Sequence, residues 1–371
     1  MNNKNFEVYF DYGSSSITAA AFDKNDNSKN TYYKSELFYD HLKSEQEIEK
    51  IIFNIEKNTN EYLNDINLMI DSPDMISIGL SLSKNFDGIK LKKEDIQFLI
   101  QDAKQQILRN YSNRAIIHII VKNYNIDNLN YNYLNTNINC NSLSIDIIFI
   151  SLPKENIKIF KKLFHKFNVS INQIFCSSYT RSINYKEQNH TKDHISFLDI
   201  GFNKTSITHF NKNKFSFFYT LPIGSNHITK DIFKILDIGL EDAEKIKINY
   251  HKKKNFLIEK KYSNKFIEKI ISARINEILN LSLNFIAINE SLVNSKETML
   301  VLLGNGSKIL NDRLKEKTLF SERIVLLNET HQDICESAQK LNKGLNKQDI
   351  VVTPKKPTKK GFFERLFHLF E

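Results

Sequence analysis

The chain has 371 residues, of which 41% are hydrophobic and 26% charged, and its formal net charge is +9. No segment approaches the roughly 20 apolar residues needed to cross a bilayer, and residues 1–6 lack the pattern of a secretory signal. Cys140, Cys176 and Cys335 lie too far apart for a CxxC metal site or a disulfide framework, so we expect buried free thiols in a reducing cytoplasm. The length predicts more than one domain, and the basic charge permits either nucleic acid or anionic lipid as a partner.

Apolar periodicity predicts the elements of the first half in chain order. We expect strands at 6–11 and 15–22 around a tight turn at Gly13, a helix at 46–64, a strand at 75–82, a helix at 92–110, strands at 115–121 and 143–151, and a basic amphipathic helix at 154–167. The Asn-rich segment 124–142 is predicted to be irregular.

The second half repeats the opening arrangement. We expect strands at 195–200 and 205–210 around Gly201, a strand at 215–221, a mainly helical stretch at 226–294, a buried strand at 299–303, a helix at 330–344 and a Pro/Lys linker at 349–360. The histidines show no ligand spacing, and we interpret them as structural or surface residues.

Three short motifs at the ends of predicted strands indicate a phosphate-binding site. They are Asp11-Tyr12-Gly13-Ser14-Ser15-Ser16, Asp199-Ile200-Gly201-Phe202-Asn203-Lys204-Thr205 and Gly304-Asn305-Gly306-Ser307. A glycine turn aims backbone N–H groups at phosphate oxygens, and an Asp beside it holds hydrated Mg2+ through water. The third motif, after a buried strand, lets the backbone approach a nucleotide closely. A single motif of this kind is usually only a turn, so the prediction depends on the ordered set of three.

The ordered set resembles the actin/Hsp70/sugar-kinase superfamily and, within it, the bacterial cell-division protein family FtsA. The segments that carry the resemblance are 116–126, 197–209, 221–232, 240–251 with its A-E-x-I-K signature, 271–281 and 301–309. The resemblance implies an α/β, two-lobed actin-like (Ribonuclease H-like) fold that binds ATP and Mg2+. It also implies that Glu244 and Lys247 reach the ribose or base, the alternative being a solvated charge pair.

The resemblance further implies a division of the chain. The expected first lobe core is 1–80 with 170–190 and 328–346, the inserted subdomain is 81–169, the second lobe core is 191–222 with 296–327, the partner-binding subdomain is 223–295, the linker is 347–360, and the membrane-targeting helix is 361–371.

The second phosphate loop departs from the family pattern, because Phe202 and Asn203 stand where consecutive glycines are usual. Phe202 cannot adopt glycine-only backbone conformations and adds bulk near the phosphates. No paired catalytic acid and base is evident elsewhere, so we expect ATP binding with slow or absent hydrolysis.

The last eleven residues predict a short amphipathic helix. Phe362, Phe363, Leu366, Phe367, Leu369 and Phe370 fall on one side of a helical wheel, and lysines lie just upstream. A helix packed on its own domain is the alternative, but the linker favours a reversible anchor on an anionic membrane.

The resemblance also implies partners and a place in the cell. An FtsA-like protein binds the C-terminal tail of the ring protein FtsZ, for which Arg274 is the expected contact, polymerises head to tail, and meets other division proteins at the cytoplasmic face of the membrane. The alternatives are an active ATPase or small-molecule kinase of the same superfamily, and a pilus-assembly actin homologue. No aromatic-basic platform for nucleic acid is evident.

Overall fold

The computed structural model describes residues 5–36, 41–131, 138–186, 193–252, 262–290, 298–310, 315, 318, 321–344 and 349–351. The strands are Phe6–Tyr12 (β1), Ser16–Asp23 (β2), Thr31–Glu36 (β3), Asp65–Ile70 (β4), Ile76–Asn85 (β5), Arg114–Ile126 (β6), Leu129–Tyr131 (β7), Ser142–Pro153 (β8), Ser170–Cys176 (β9), His194–Ile200 (β10), Thr205–Asn211 (β11), Lys214–Leu221 (β12), Met299–Leu303 (β13), Ile324–Leu326 (β14) and Asp349–Val351 (β15). The α-helices are His41–Thr59 (α1), Lys93–Asn110 (α2), Lys154–His165 (α3), Ser177–Lys186 (α4), Ser225–Leu236 (α5), Leu240–Lys252 (α6), Asn264–Glu290 (α7) and His331–Asn342 (α8).

Two five-stranded sheets of the same topology form the two lobes. The first has the order β3-β2-β1-β4-β9 and the second β12-β11-β10-β13-β14. In both sheets the first three strands form an antiparallel meander and the next two strands add in parallel. This repetition gives the two-lobed α/β architecture that the sequence predicts.

The strands form where continuous apolar runs are buried on both faces. Residues 17–23 of β2 and 300–303 of β13 are all buried, as expected for central strands covered by helices. One core joins the first sheet to α1, α4 and α8, and a second core lies between the second sheet and α5, α6 and α7. The carboxyl ends of β1 and β10 therefore come together between the lobes.

A third sheet, β15-β6-β8-β5 with β7 beside β6, forms an inserted subdomain with its own core under α2. It is inserted between β4 and α3, and its strands β5 and β6 lie against β12 of the second lobe. Ser77 donates to the Phe218 carbonyl at 2.7 Å across this contact. The predicted range for the subdomain is 81–169. In the structure its sheet begins earlier, at Ile76, and α3, which lies inside the predicted range, contributes Phe164 to the first-lobe core.

The prediction that 124–142 is irregular is wrong in part. Strand β6 continues to Ile126 and pairs with β7 through a two-residue turn. Asp127 and Asn128 both have positive φ, at 48° and 67°, which is the conformation of a type I′ hairpin turn and one that Asp and Asn tolerate. Asp and Asn are common in irregular loops, and the same residue types also close tight hairpins, so composition alone does not separate the two.

The segment predicted to be a linker, 347–360, begins with a short strand. Residues 349–351 form β15, which pairs antiparallel with residues 118–120 of β6. The predicted membrane-targeting helix 361–371 lies outside the described residues. Among the helices that the structure describes, none is long and apolar enough to cross a membrane.

Candidate functional site

Two turns with the same geometry face each other across the lobes. Between β1 and β2 the Gly13 amide donates to the Ser16 carbonyl at 3.0 Å, and between β10 and β11 the Gly201 amide donates to the Lys204 carbonyl at 2.8 Å. Asp11 and Asp199 each stand two residues before the glycine. The sequence prediction of two matching turns is confirmed.

The third motif packs against the second turn. Gly304 has a φ of +82°, and a Cβ at this position would collide with Asp199 Oδ1. A Cβ at Gly306 would lie 2.6 Å from the Ile200 carbonyl oxygen. These glycines are needed because the 3-10 helix Asn305–Ile309 approaches the end of β10 without room for side chains.

The three motifs border one cavity of about 420 Å³ between the lobes. Nine of the predicted nucleotide-binding residues line it: Asp11, Gly13, Ser14, Ser15, Ser16, Asp199, Gly201, Lys204 and Gly304. The other five, Thr205, Glu244, Lys247, Gly306 and Ser307, do not line it. The cavity also carries Lys34, Lys308 and the residues of a buried ionic network.

Arg181 is at the centre of this network. Its guanidinium donates to Asp199 Oδ2 at 2.7 Å and to Glu329 Oε1 at 2.8 Å, and its side chain is 6% exposed. Burial opposes the charge of Asp199, yet Arg181 beside it holds the pKa of that carboxyl below its ordinary value. Asp199 is therefore ionised and already paired with a cation.

A second ion pair spans the cleft. Lys204 of the second lobe lies 3.1 Å from Asp71 Oδ2 of the first lobe, and both side chains are nearly buried. Ser178 donates its hydroxyl to Asp71 and also lies 2.7 Å from Asp199 Oδ2. Carboxylates and cations thus alternate along the floor of the cleft, and each lobe contributes both signs.

Asp11 is the carboxyl least compensated by this network. Ser177 donates to its Oδ1 at 2.6 Å, whereas the two pairs above engage Asp71 and Asp199. Burial raises the pKa of Asp11 to about 6, although Arg181 and the Ser177 hydroxyl act in the opposite direction. An uncompensated carboxyl in a cleft is typical of a functional site.

Phe202 lines the cavity without backbone strain. It is absent from the positive-φ residues of the described chain, so the turn after Gly201 does not use the glycine-only conformation expected at this place. The Lys247 ammonium lies 5.5 Å from the centre of the Phe202 ring. Phe202 therefore adds bulk and an aromatic face to the cavity wall, and its backbone is in a conformation that any residue can adopt.

Glu244 and Lys247 lie behind this wall. They form a 2.7 Å ion pair, and Lys247 also donates to the Ser225 carbonyl and to Thr229 Oγ1. Burial lowers the pKa of Lys247. The pair is thus not a solvated one, and it supports two residues, Phe202 and Ser225, that line the cavity.

The remaining predicted residues make internal contacts. Thr205 donates to the Ile223 carbonyl at 2.7 Å, and Ser307 donates to the Gly304 carbonyl at 2.8 Å. Arg274, the predicted partner contact, donates to Asp231 at 2.6 and 2.8 Å and to Glu277 at 2.6 Å. The predicted membrane residues Phe362, Phe363, Leu366, Phe367, Leu369 and Phe370 lie outside the described residues.

The donor set suits magnesium, which prefers oxygen ligands and retains water. Asp11, Asp71 and Asp199 converge at the cleft floor, but Asp71 and Asp199 are engaged by Lys204 and Arg181. Asp11 is thus the residue that would hold a hydrated Mg2+, whereas Asp199 would first have to break its ion pair with the Arg181 guanidinium.

The three thiols are buried, as predicted, and burial raises the pKa of each.

Sequence reasoning missed Asp71, Ser177, Ser178, Arg181 and Glu329. Asp71 directly follows β4, and Asp11 is the next-to-last residue of the neighbouring parallel strand β1, so both lie at the same edge of the sheet. A strand prediction at 65–70 would have provided that signal. Arg181 and Glu329 have no local signal, because they reach the cleft only through the packing of α4 and the segment before α8.

Sequence comparisons find partial matches to one protein family. A family model described as "Cell division protein FtsA" matches residues 196–315. The FtsA of Agrobacterium fabrum is 20% identical over 166 residues, which is 45% of this chain and 37% of that protein. The FtsA of Helicobacter pylori is 28% identical over 108 residues, which is 29% of this chain and 22% of that protein. The aligned part is therefore less than half of the length of these relatives.

A structural comparison covers nearly the whole chain. A structure titled as a PilM–PilN type IV pilus biogenesis complex superposes with a TM-score of 0.59 at 12% identity, over 89% of this chain and 94% of the other. The fold and the cleft between its lobes define a protein of the actin-like class, which confirms the predicted fold. Within that class, the second lobe of this chain is similar in sequence to FtsA division proteins.

Proposed function

We propose that this chain is an actin-like cell-division protein that binds ATP with Mg2+ in the cleft between its lobes. The observation that carries the proposal is the pair of matching turns, at Gly13 and Gly201, that border one cavity from opposite lobes. Turns of this kind present backbone N–H groups to anions. Two of them facing each other suit a phosphate chain held from both sides.

The charges around the cavity support a nucleotide with a bound cation. Lys34, Lys204 and Lys308 line the walls, and Asp11 lies at the floor. Burial lowers the pKa of Lys308, and the neighbouring Lys34 acts in the same direction. An anionic ligand would relieve the repulsion between these lysines, and Mg2+ would compensate Asp11.

Hydrolysis is proposed to be slow or absent. A general base needs a free carboxylate within reach of a water molecule. Asp71 is paired with Lys204, Arg181 pairs both Asp199 and Glu329, and Asp11 is the carboxyl that we assign to Mg2+. The nucleotide would then act as a structural or switching ligand, and a steady-state phosphate release well above roughly one per minute would contradict this part.

Binding of a fluorescent ATP analogue with Mg2+ tests the nucleotide site. We expect saturable binding that Lys204→Ala and Asp11→Asn each weaken at least about tenfold, since both lose a charged contact. Lys161→Ala, at an exposed position of α3, is the matched control and should bind like the parent chain. Equal affinity in all four proteins, or no saturable binding, would exclude a nucleotide site in this cleft.

The proposed role of the bound protein is to tether the FtsZ ring to the cytoplasmic face of the membrane at the division site. The FtsA match to 196–315 and the amphipathic sequence 361–371 support this role. Head-to-tail self-association would multiply weak membrane contacts into firm attachment. The FtsZ C-terminal tail, the polymer and other division proteins are the proposed partners.

No specific observation favours either alternative, an active ATPase or small-molecule kinase or a pilus-assembly actin homologue. A small-molecule kinase needs a free catalytic carboxylate beside its substrate. The ion pairs described above engage three of the four acidic side chains that line the cleft, and the fourth, Asp11, is the one that we assign to Mg2+. The structural likeness to a pilus-biogenesis complex shows a common fold, whereas the sequence likeness is to division proteins. We therefore retain the division role as the proposal.

A further inference from the structure

Two histidines and a glutamate meet on one face of the second sheet, far from the cleft. His194 begins β10, His209 lies on β11 opposite Ser196, and Glu290 is the last residue of α7, which covers this face. Because Asp199 is at the other end of β10, the group is separate from the nucleotide site. Its three ligand atoms all lie within 4.8 Å of one another.

Each imidazole has a buried nitrogen atom that lacks a hydrogen-bond partner among the residues that the structure describes. His209 is fully buried; its Nδ1 lies 2.7 Å from Ser196 Oγ, and its Nε2 has no partner within the described part of the chain. The nearest acceptor of Glu290 is 3.8 Å from that Nε2, which is too far for a hydrogen bond. His194 Nδ1 is likewise buried without a partner. A buried nitrogen without a hydrogen bond costs free energy, and a ligand bound to both nitrogens would remove that cost.

The surroundings orient these groups. Ser196 fixes Nδ1 of His209 and leaves Nε2 directed at Glu290. The imidazole of His209 stacks between His194 and Phe217, at ring distances of 5.9 and 5.3 Å. Asn211 donates to Glu290 Oε2 at 2.9 Å, and the Ser216 hydroxyl donates to Oε1. Hydrogen bonds of this kind are the outer partners that metal ligands use in proteins.

We propose that His194, His209 and Glu290 bind a divalent transition metal ion, with Zn2+ as the expected ion. Two imidazoles and one carboxylate form a common three-residue zinc set, in which water takes the fourth position. Tetrahedral coordination needs ligand atoms about 3.3 Å apart, so the group has to contract by about 1.5 Å at its widest.

A nearby positive charge limits the affinity of this site. The Lys122 ammonium of the inserted subdomain lies 3.5 Å from Ser216 Oγ, and its charge opposes a second cation nearby. The metal would fasten the end of α7 to β10 and β11 where the inserted subdomain meets the second lobe.

The test uses the full chain, stripped with a chelator and titrated with Zn2+ against a chelating dye. We expect one Zn2+ per chain, and His194→Gln or Glu290→Gln should weaken binding at least about tenfold. The exposed His165→Gln on α3 is the matched control and should bind like the parent chain. Co2+ in place of Zn2+ should give the intense visible absorption of four-coordinate cobalt.

Thermal unfolding keeps the proposal testable if a variant is destabilised. Zn2+ should raise the Tm of the parent chain and of His165→Gln but not of His194→Gln or Glu290→Gln, whatever their starting Tm. Equal affinity in all four proteins, a weak octahedral cobalt spectrum, or no stoichiometric zinc would overturn the proposal. None of these readouts depends on nucleotide binding, so the two proposals succeed or fail separately.

Discussion

At the scale of single residues, the cleft is defined by how each carboxyl is compensated. Asp199 and Glu329 share Arg181, and Asp71 has Lys204, while Asp11 has the Ser177 hydroxyl. The sequence placed Asp11 and Asp199 in equivalent positions, and the turns confirm that. It could not predict their different states, because Arg181 arrives from α4 and its pairing depends on tertiary packing.

Asp11→Asn should stabilise the free protein at neutral pH. The pKa of Asp11 is raised from 3.8 to about 6, so the folded state binds the proton more tightly than the unfolded state. The contribution of this group to stability therefore falls as pH rises from about 4 to 6. Since Asp11 keeps some exposure, we expect a gain of about 1–2 kcal/mol in the free energy of unfolding at pH 7.

Urea denaturation at pH 4, 5, 6 and 7 measures this effect. The difference between Asp11→Asn and the parent chain should grow across the series and level off above pH 6. A difference for Asp11→Asn that does not change with pH would contradict the raised pKa.

At the scale of elements, the sequence predicted the strands and helices with an apolar pattern and missed those that bury polar side chains. Strands β4 and β9 bury Asn67 and Gln173, and α4 buries several hydroxyl residues. In α4 the Thr180 and Ser182 hydroxyls donate to carbonyls four residues earlier, which satisfies them inside a helix. Such residues resemble turn composition when read locally. The glycine turns were predictable because glycine is common where the backbone turns tightly, and a Cβ would lie 2.9 Å from the Ser16 carbonyl oxygen at Gly13 and 3.1 Å from the Lys204 carbonyl oxygen at Gly201.

Gly304→Ala should destabilise the second lobe more than a positive φ alone explains. The strain of an alanine at φ +82° costs about 1–3 kcal/mol, and the added Cβ would also collide with Asp199 Oδ1. Gly344→Ala is the matched control, because its φ is +79° and nothing lies within 4 Å of the added Cβ. We expect a lower urea midpoint for Gly304→Ala than for Gly344→Ala; equal midpoints would mean that the close approach is unimportant.

At the scale of the whole molecule, the lobes are joined by ionic contacts at the place where a ligand would bind. Asp71 of the first lobe pairs with Lys204 of the second, and Asn305 approaches Ser16 at 3.4 Å. A triphosphate that draws Lys204 away would loosen this contact while bridging the lobes itself. The order of the lobes was predictable from repeated motifs, but this connection was not, because the motifs do not include Asp71.

Membrane binding by the C-terminal residues is a prediction at this same scale. Full-length protein should co-sediment with vesicles that contain anionic lipid, and a chain ending at Lys360 should not. This truncation keeps β15, so the inserted subdomain retains its edge strand. The Phe363→Glu/Phe367→Glu double variant of the full chain should also lose binding, since it places charge on the apolar side. Equal sedimentation of all three proteins would exclude the anchor.

Binding of the FtsZ tail can be tested with variants of opposite sign. Arg274 is held by Asp231 and Glu277, so an acidic peptide has to compete with them. Arg274→Gln should weaken binding of an FtsZ C-terminal peptide about fivefold, whereas Asp231→Asn should strengthen it. Lys269→Gln, exposed on the same helix, is the control. If all three variants bind like the parent chain, Arg274 is not a contact.

The pairing of β15 with β6 sets the length of the linker between the folded part of the chain and the predicted membrane helix. The chain is fixed at Val351 on the inserted subdomain, and nine residues, 352–360, precede Gly361. Nine residues reach at most about 32 Å when fully extended. A body held by such a linker would keep Val351 within about 32 Å of the first residue of the predicted membrane helix, with the inserted subdomain on the near side. Shortening or lengthening residues 352–360 would therefore adjust the gap between the membrane and whatever the far lobe carries.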